Sequence, residues 1–216
     1  SSVFSIPFLG LSNEGMPRFY NERGKETLGD FNFSSSSIDF LKYSGTLDPT
    51  DVGTLTNTFR YKNFSFSAHI NYEFGAVTRL RSISNTDDYS AFPRELTQRW
   101  KKPGDEAHTN IPRIPTSYAF DQYGSDNLIN GFYAYSASTA RIVSTDFVRL
   151  KELSMEYTVS KTLLRHTPLK NLDVKLQAQN LLLLYSDARL RGDDPTYMYS
   201  GSVTAPKKLI LTLRVG

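Results

Sequence analysis

The chain has 216 residues, and its 25 Lys and Arg against 22 Asp and Glu leave a formal charge of only +3, too balanced for the electrostatic footprint of a nucleic-acid binder. Zero Cys removes disulfide scaffolds, thiol catalysis and Cys-ligated metal sites in one step. With 39% apolar and 22% charged residues the composition is globular, and no run approaches the ~18 apolar residues of a spanning helix. That excludes helical membrane proteins but not membrane barrels, whose alternating strands hide from hydropathy averages.

The segment Ser1 to Pro7 carries neither an initiator Met nor a basic, apolar, small-residue signal, so the chain reads as processed, trimmed or cut from something longer. Residues 1–53 are rich in turn-forming residues and show no sustained period. A first strand is predicted at 54–62, where Leu55, Phe59 and Tyr61 alternate with Thr56, Thr58, Arg60 and Lys62, and Asn57 interrupts the apolar row. A second covers 64–75, with Phe64, Phe66, Ala68, Ile70, Tyr72 and Phe74 on one face and Ser65, Ser67, His69, Asn71 and Glu73 on the other. A two-residue hairpin at Lys62-Asn63 pairs Tyr61 with Phe64, Phe59 with Phe66 and Leu55 with Ile70, so both apolar rows share a face.

Residues 76–145 form a long connection rich in Pro, Gly, Ser, Asn and Asp. A third strand is predicted at 146–159, with Leu153, Met155, Tyr157 and Val159 in one row. Val148 and Leu150 are out of phase with that row, which predicts a β-bulge near Lys151-Glu152. Ser160 to Arg165 fits one helical turn with Ser160 as N-cap and Pro168 stopping it. Strands at 172–184 and 207–216 complete the set, separated by 185–206, with Ile210 the exception in the last alternation.

The predicted strand lengths match the about 9–11 residues of transmembrane barrel strands. Short links, 62–63 and 160–171, alternate strictly with the long ones, 1–53, 76–145 and 185–206. Outer-membrane barrels have that asymmetry, with short periplasmic turns and long outer loops. Five strands cannot close a membrane barrel, since the smallest bacterial examples use about eight, and an open arc would leave backbone groups unpaired in lipid. The polar row Ser67, His69, Asn71 and Glu73, with Arg60 from the neighbouring strand, is therefore expected to face a wet lumen, and the apolar row to face lipid.

Several stretches resemble signatures of the SusC/RagA-type TonB-dependent transporters of the Bacteroidetes outer membrane. Phe147 to Tyr157 is similar to the family's "FlRLKnisLsY" strand, and Gln179-Asn180-Leu181 to its "GQNLf" element, with Ala178 replacing the usual Gly. Thr109-Asn110-Ile111-Pro112-Arg113 resembles the loop phrase following Arg99-Trp100, Asn57 to Phe64 a hairpin, and Gly10 to Pro17 a long outer loop with Ser12 where Asp is more usual. The ordered set covers nearly the whole chain. One departure is the end, Arg214-Val215-Gly216, where such barrels commonly carry an aromatic residue read by the assembly machinery.

The resemblance implies an all-β fold: antiparallel strands forming a C-terminal arc of about five strands in an about 22-stranded transmembrane β-barrel with long extracellular loops at the bacterial cell surface. It also implies a plug and TonB box elsewhere in the polypeptide, coupling to TonB, and a SusD-like lipoprotein partner helping to import oligosaccharides or peptides. The alternative from another class is a soluble or surface-displayed β-sandwich binding module, in which the apolar faces pack together.

No catalytic, cofactor or metal site is expected. His69, His108 and His166 share no metal-ligand spacing, Asp187, Asp193 and Asp194 lack a complete calcium-loop pattern, and the pairs Asp87-Asp88 and Asp105-Glu106 lack a partner at glycosidase spacing. The richest candidate for ligand or partner contact is 76–145. There Arg94, Arg99, Lys101, Lys102 and Arg113 surround Trp100, a set suited to stacking on and hydrogen-bonding an anionic or sugar ligand, or to packing on the rim or a partner. Tyr118, Phe120, Tyr123, Phe132, Tyr133 and Tyr135 add an aromatic cluster read as interface or loop packing, and the lipoprotein contact is placed in this loop.

Overall fold

A computed structural model describes residues 1–32, 38–80, 94–190, 192–198 and 205–216. The fold is mainly β, with antiparallel sheets, and among the described residues no helix is long and apolar enough to cross a membrane. The chain divides into two compact units, residues 1–47 with 77–143 and residues 48–76 with 144–216.

The first unit is built from short pieces. Strands β1 (Ser2–Ser5), β2 (Phe8–Leu11), β3 (Pro17–Tyr20), β4 (Glu26–Thr27) and β5 (Lys42–Thr46) open the chain, with β1 paired to β5 and β2-β3-β4 forming a small sheet. The long strands of the second unit follow, β6 (Asp51–Tyr61) and β7 (Phe64–Phe74), before the chain returns with β8 (Val77–Arg79). A 3-10 turn at Arg94–Gln98, helices α1 (Ser117–Tyr123) and α2 (Ser125–Ser136), and β9 (Ile142–Ser144), which pairs with β8, complete the first unit. Loops 1–53 and 76–145 were expected to be irregular; most of these strands have two to five residues, too few for a period of two to stand out.

Apolar residues on α2 make the core of this unit. Tyr135 and Ala134 pack with Ile6 and Phe19, while Leu128 and Phe132 pack with Met16 and Ala119. A Cβ on Gly131 would come within 2.8 Å of the Leu28 carbonyl, so the glycine lets the loop backbone lie directly on α2.

The second unit is one five-stranded antiparallel sheet in the order β12-β11-β10-β7-β6, where β10 is Phe147–Thr158, β11 is Leu172–Ser186 and β12 is Lys208–Val215. These bounds lie within three residues of the predicted strands. The β6–β7 hairpin has the expected register, Tyr61 opposite Phe64, Phe59 opposite Phe66 and Leu55 opposite Ile70, and Lys62 takes the left-handed turn conformation at φ 52°. Between β7 and β10 the register slips between Leu150 and Glu152, which makes Lys151 the extra residue of a bulge. Across from it on β11, Asn180 has a positive φ of 55°, and the β10–β11 register slips at the same place. Helix α3 (Lys161–Leu164) occupies the predicted turn, but Ser160 makes no side-chain cap; its carbonyl accepts from Leu163 and Leu164 instead.

Candidate functional site

Register carries chemistry across the whole sheet. One rung runs Thr56–His69–Glu152–Gln179–Lys208 and the next Thr58–Ser67–Ser154–Gln177–Ile210, so polar residues of all five strands line one face and Ile210 is the apolar exception. Thr56 and His69 Nδ1 lie 2.9 Å apart, and the Glu152 carboxylate accepts from Gln177 at 2.9 Å and Gln179 at 3.0 Å. Asn71 sits opposite Thr54, Arg60 opposite Ser65 and Glu73 opposite Val52. Arg60, Ser67, His69, Asn71 and Glu73 are thus neighbours on one polar surface rather than a chemical constellation.

The other face carries Phe59–Phe66–Met155–Leu176–Leu211 and Asn57–Ala68–Leu153–Ala178–Leu209. Aromatic residues mark both of its ends. Phe64 and Tyr157 have ring centroids 4.6 Å apart near the hairpin; Tyr72, Phe74 and Tyr185 cluster at the far end, with centroids 5.5 and 6.5 Å apart. The Tyr72 ring also lies where a Cβ on Gly53 would stand, so an aromatic covers the glycine of the neighbouring strand.

Exposure is inverted relative to a water-soluble sheet. On the inner strands the polar rows of β7, β10 and β11 are buried or half-buried except for Thr158, with Ser154 8% exposed, whereas in the apolar rows Phe66 and Met155 are 45% and 46% exposed and Ile70, Leu153 and Val174 are half-buried. On the edge strand β12, Leu209, Leu211 and Leu213 are 59–74% exposed. Among the described residues, β6 and β12 each have one neighbouring strand, so one edge of each is open.

In the first unit a separate site forms around the Trp100 loop. Arg99, Trp100, Lys101, Arg113, Ile114, Pro115 and Thr116 line a cleft of about 400 Å³. Trp100 is buried against Gly15, where φ is +76° and any Cβ would collide with the indole. Its ring N–H donates to Glu106 at 2.9 Å, so it serves as the packed floor of this loop and not as an open stacking platform.

The loop's two acids are turned inward. Asp105 accepts from the backbone of Lys101 at 3.0 Å and Lys102 at 3.1 Å, and Glu106 accepts from Gly104 at 2.8 Å as well as from the indole. The Lys101 amide for Asp105 and the Trp100 indole for Glu106 hold both carboxyls below the usual range, so both are anionic near neutral pH. The other carboxylate pair singled out in the sequence, Asp87-Asp88, lies outside the described residues, as does the side chain of Arg94.

The aromatic cluster divides. Tyr118 on α1 and Tyr133 on α2 are 70% and 63% exposed, Phe120 and Tyr123 pack on the α1–α2 core, and Phe132 and Tyr135, read as interface or loop packing, are core residues. Tyr123 donates a short hydrogen bond to Glu14; burial, reinforced by that carboxylate, pushes its phenol up to about 12.

Sequence reasoning missed two ion pairs because their members are distant in the chain. Arg141, 2% exposed, makes a bidentate pair with Glu95 at 2.7 Å and lies over the Tyr135 ring. In the second unit Arg149 pairs with Asp194, and Asp187 pairs with Arg189, so these acidic-loop carboxylates are engaged by guanidinium groups. Burial works against the charged Asp194, but the Arg149 and Thr196 hydrogen bonds outweigh it and hold the carboxyl below its usual range.

Solved structures of the RagAB peptide importer match this arrangement of strands. The 'open-open' state matches with a TM-score of 0.58 and 18% identity over 89% of this chain and 19% of that one. The chain has the fold of a segment of those RagAB chains. The RagAB peptide transporter gives a TM-score of 0.59 at 19% identity, covering 90% of this chain and 20% of that one. The 'closed-closed' state gives 0.57 at 18%. The chain therefore spans about a fifth of the length of these structures. No family model and no curated protein matches it.

Proposed function

We propose that this chain forms part of the wall and rim of an outer-membrane β-barrel, a SusC/RagA-type, TonB-dependent importer of peptides or oligosaccharides that works with a SusD-like lipoprotein. The observation that carries this reading is the inverted sheet. An uncovered row of Phe, Leu and Met costs roughly 25 cal/mol for each Å² held in water, whereas lipid removes that cost. From Phe64 to Phe74 the strand rises ~33 Å. A tilt of about 40° projects that rise to ~25 Å, the height of the apolar band of such barrels, and puts the aromatic ends at its two interfaces.

The open edges of β6 and β12 support an arc, since a bilayer offers no partner to unpaired backbone groups and further strands must continue the sheet. The fold shared with the RagAB chains favours peptides as the cargo. The exposed aromatic residues Tyr118 and Tyr133 make α1 and α2 the proposed contact for the lipoprotein. No catalytic role is assigned, because the carboxylates of the cleft loop are committed to its own backbone and indole donors.

Native mass measurement of the species extracted from outer membranes tests this. The chain is expected within a much larger, detergent-requiring barrel together with a lipoprotein. A lone, detergent-independent particle with the mass of this chain would sink the reading and leave the sandwich module as the better account.

A further inference from the structure

The Trp100 cleft gathers positive charge. Arg99, Lys101 and Arg113 are its only charged lining residues, and among the described residues none of the three makes an ion pair. The acids of this loop make no ion pair with them: Asp105 accepts from the amides of Lys101 and Lys102, and Glu106 from Gly104 and the indole. Glu14, which precedes the Trp100-packed Gly15, accepts from Tyr123.

One of these side chains is also held in place. Arg99 is tethered through Nη1 to the Leu96 carbonyl at 3.0 Å, and the Arg113 backbone donates to Gly15 at 3.1 Å. The Arg113 Nε is buried with no hydrogen-bond partner. Beside them Ile114, 42% exposed, and Pro115 supply an apolar wall. Guanidinium groups lining a cleft beside such a wall match the planar carboxylate of an amino-acid residue, two donors to two oxygens, with aliphatic carbons lying alongside.

We propose that this cleft binds a carboxylate of a peptide at the Arg99–Lys101–Arg113 surface, which selects acidic peptides where that carboxylate belongs to a side chain. The proposal rests on the peptide-importer reading and adds to it a selectivity residing in the first unit. The carboxylate comes from an Asp or Glu side chain or from the peptide C-terminus, and the two sources are separable.

The test is fluorescence-polarisation binding to the intact importer purified in detergent, with a dye-labelled peptide of about ten residues containing three Glu. The same peptide is compared with Gln in place of Glu and with an amidated C-terminus. The acidic peptide is expected to bind about tenfold or more tightly than its Gln counterpart, the value of one charge-assisted contact. Loss on amidation alone identifies the C-terminal carboxylate as the bound group. Arg99→Gln with Lys101→Gln is expected to abolish the preference for a free carboxylate, and an unchanged protease resistance of residues 94–143 in the variant shows that the loop is still folded. Arg113→Lys, which keeps charge but loses the fork, is expected to fall between. Equal binding of the acidic, Gln and amidated peptides overturns the cleft assignment and leaves the importer reading standing. Binding of sulfated or phosphorylated oligosaccharides in place of peptides, with the same loss in the variants, overturns the peptide assignment. Binding of no peptide at all overturns both.

Discussion

Glu95 and Arg141 show how much of the first unit hangs on single contacts. Burial alone disfavours the Arg141 cation, but the Glu95 hydrogen bonds outweigh it and raise its affinity for the proton, so Arg141 stays charged. Glu95→Gln leaves the cation buried without its counter-charge, a loss of about 3–5 kcal/mol. Protease cleavage within residues 77–143 is expected to accelerate by two orders of magnitude or more, because cleavage follows the opened population. A change of less than threefold would mean that water already solvates the pair. Tyr123 supplies a pH test. Its folded phenol ionises near 12 against an ordinary value of about 10, so its contribution is complete below pH ~10 and is lost as pH rises through that window. Burial also raises the phenol of Tyr135, so ultraviolet titration is expected to show more than one late-ionising tyrosine and to lose one of them in Tyr123→Phe; identical curves would refute the Glu14 contact.

At the scale of elements, β7 is the strand whose two faces are most sharply distinguished, and its partners on both sides repeat the distinction rung by rung. Ile70 stands in the apolar row opposite Leu55 and Leu150, and Asn71 in the polar row opposite Thr54 and Arg149. Ile70→Arg is expected to impair assembly of the barrel by about 2–4 kcal/mol, read as loss of the folded, protease-resistant form in outer membranes, whereas Asn71→Arg is mild. Equal effects would contradict the lipid and lumen faces. The bulge at Lys151 deserves the same strand-level reading: the phase change between Leu150 and Leu153 keeps apolar residues in the apolar rungs on both sides of it.

For the whole molecule, the long strands and their pairing were legible because each carries a period of two over eight or more residues, and a one-residue slip would put every side chain on the wrong face. That pattern alone located β6, β7, β10, β11 and β12, the Lys62-Asn63 turn and the bulge, and it separated Arg60, Ser67, His69, Asn71 and Glu73 from the apolar rows. The first unit was read as loop because its order comes from contacts between distant short pieces, such as Phe19 against Tyr135's cluster, which leave no local period. The candidate cleft was half legible: the sequence placed basic residues around Trp100, but only the tertiary structure turned the indole into a buried floor and spent Asp105 and Glu106 on donors within the loop. The sequence by itself thus determined the alternating faces, since strand geometry converts adjacency into sidedness. Tertiary structure decided which charges are neutralised and which remain free, since that depends on side chains brought together across irregular backbone.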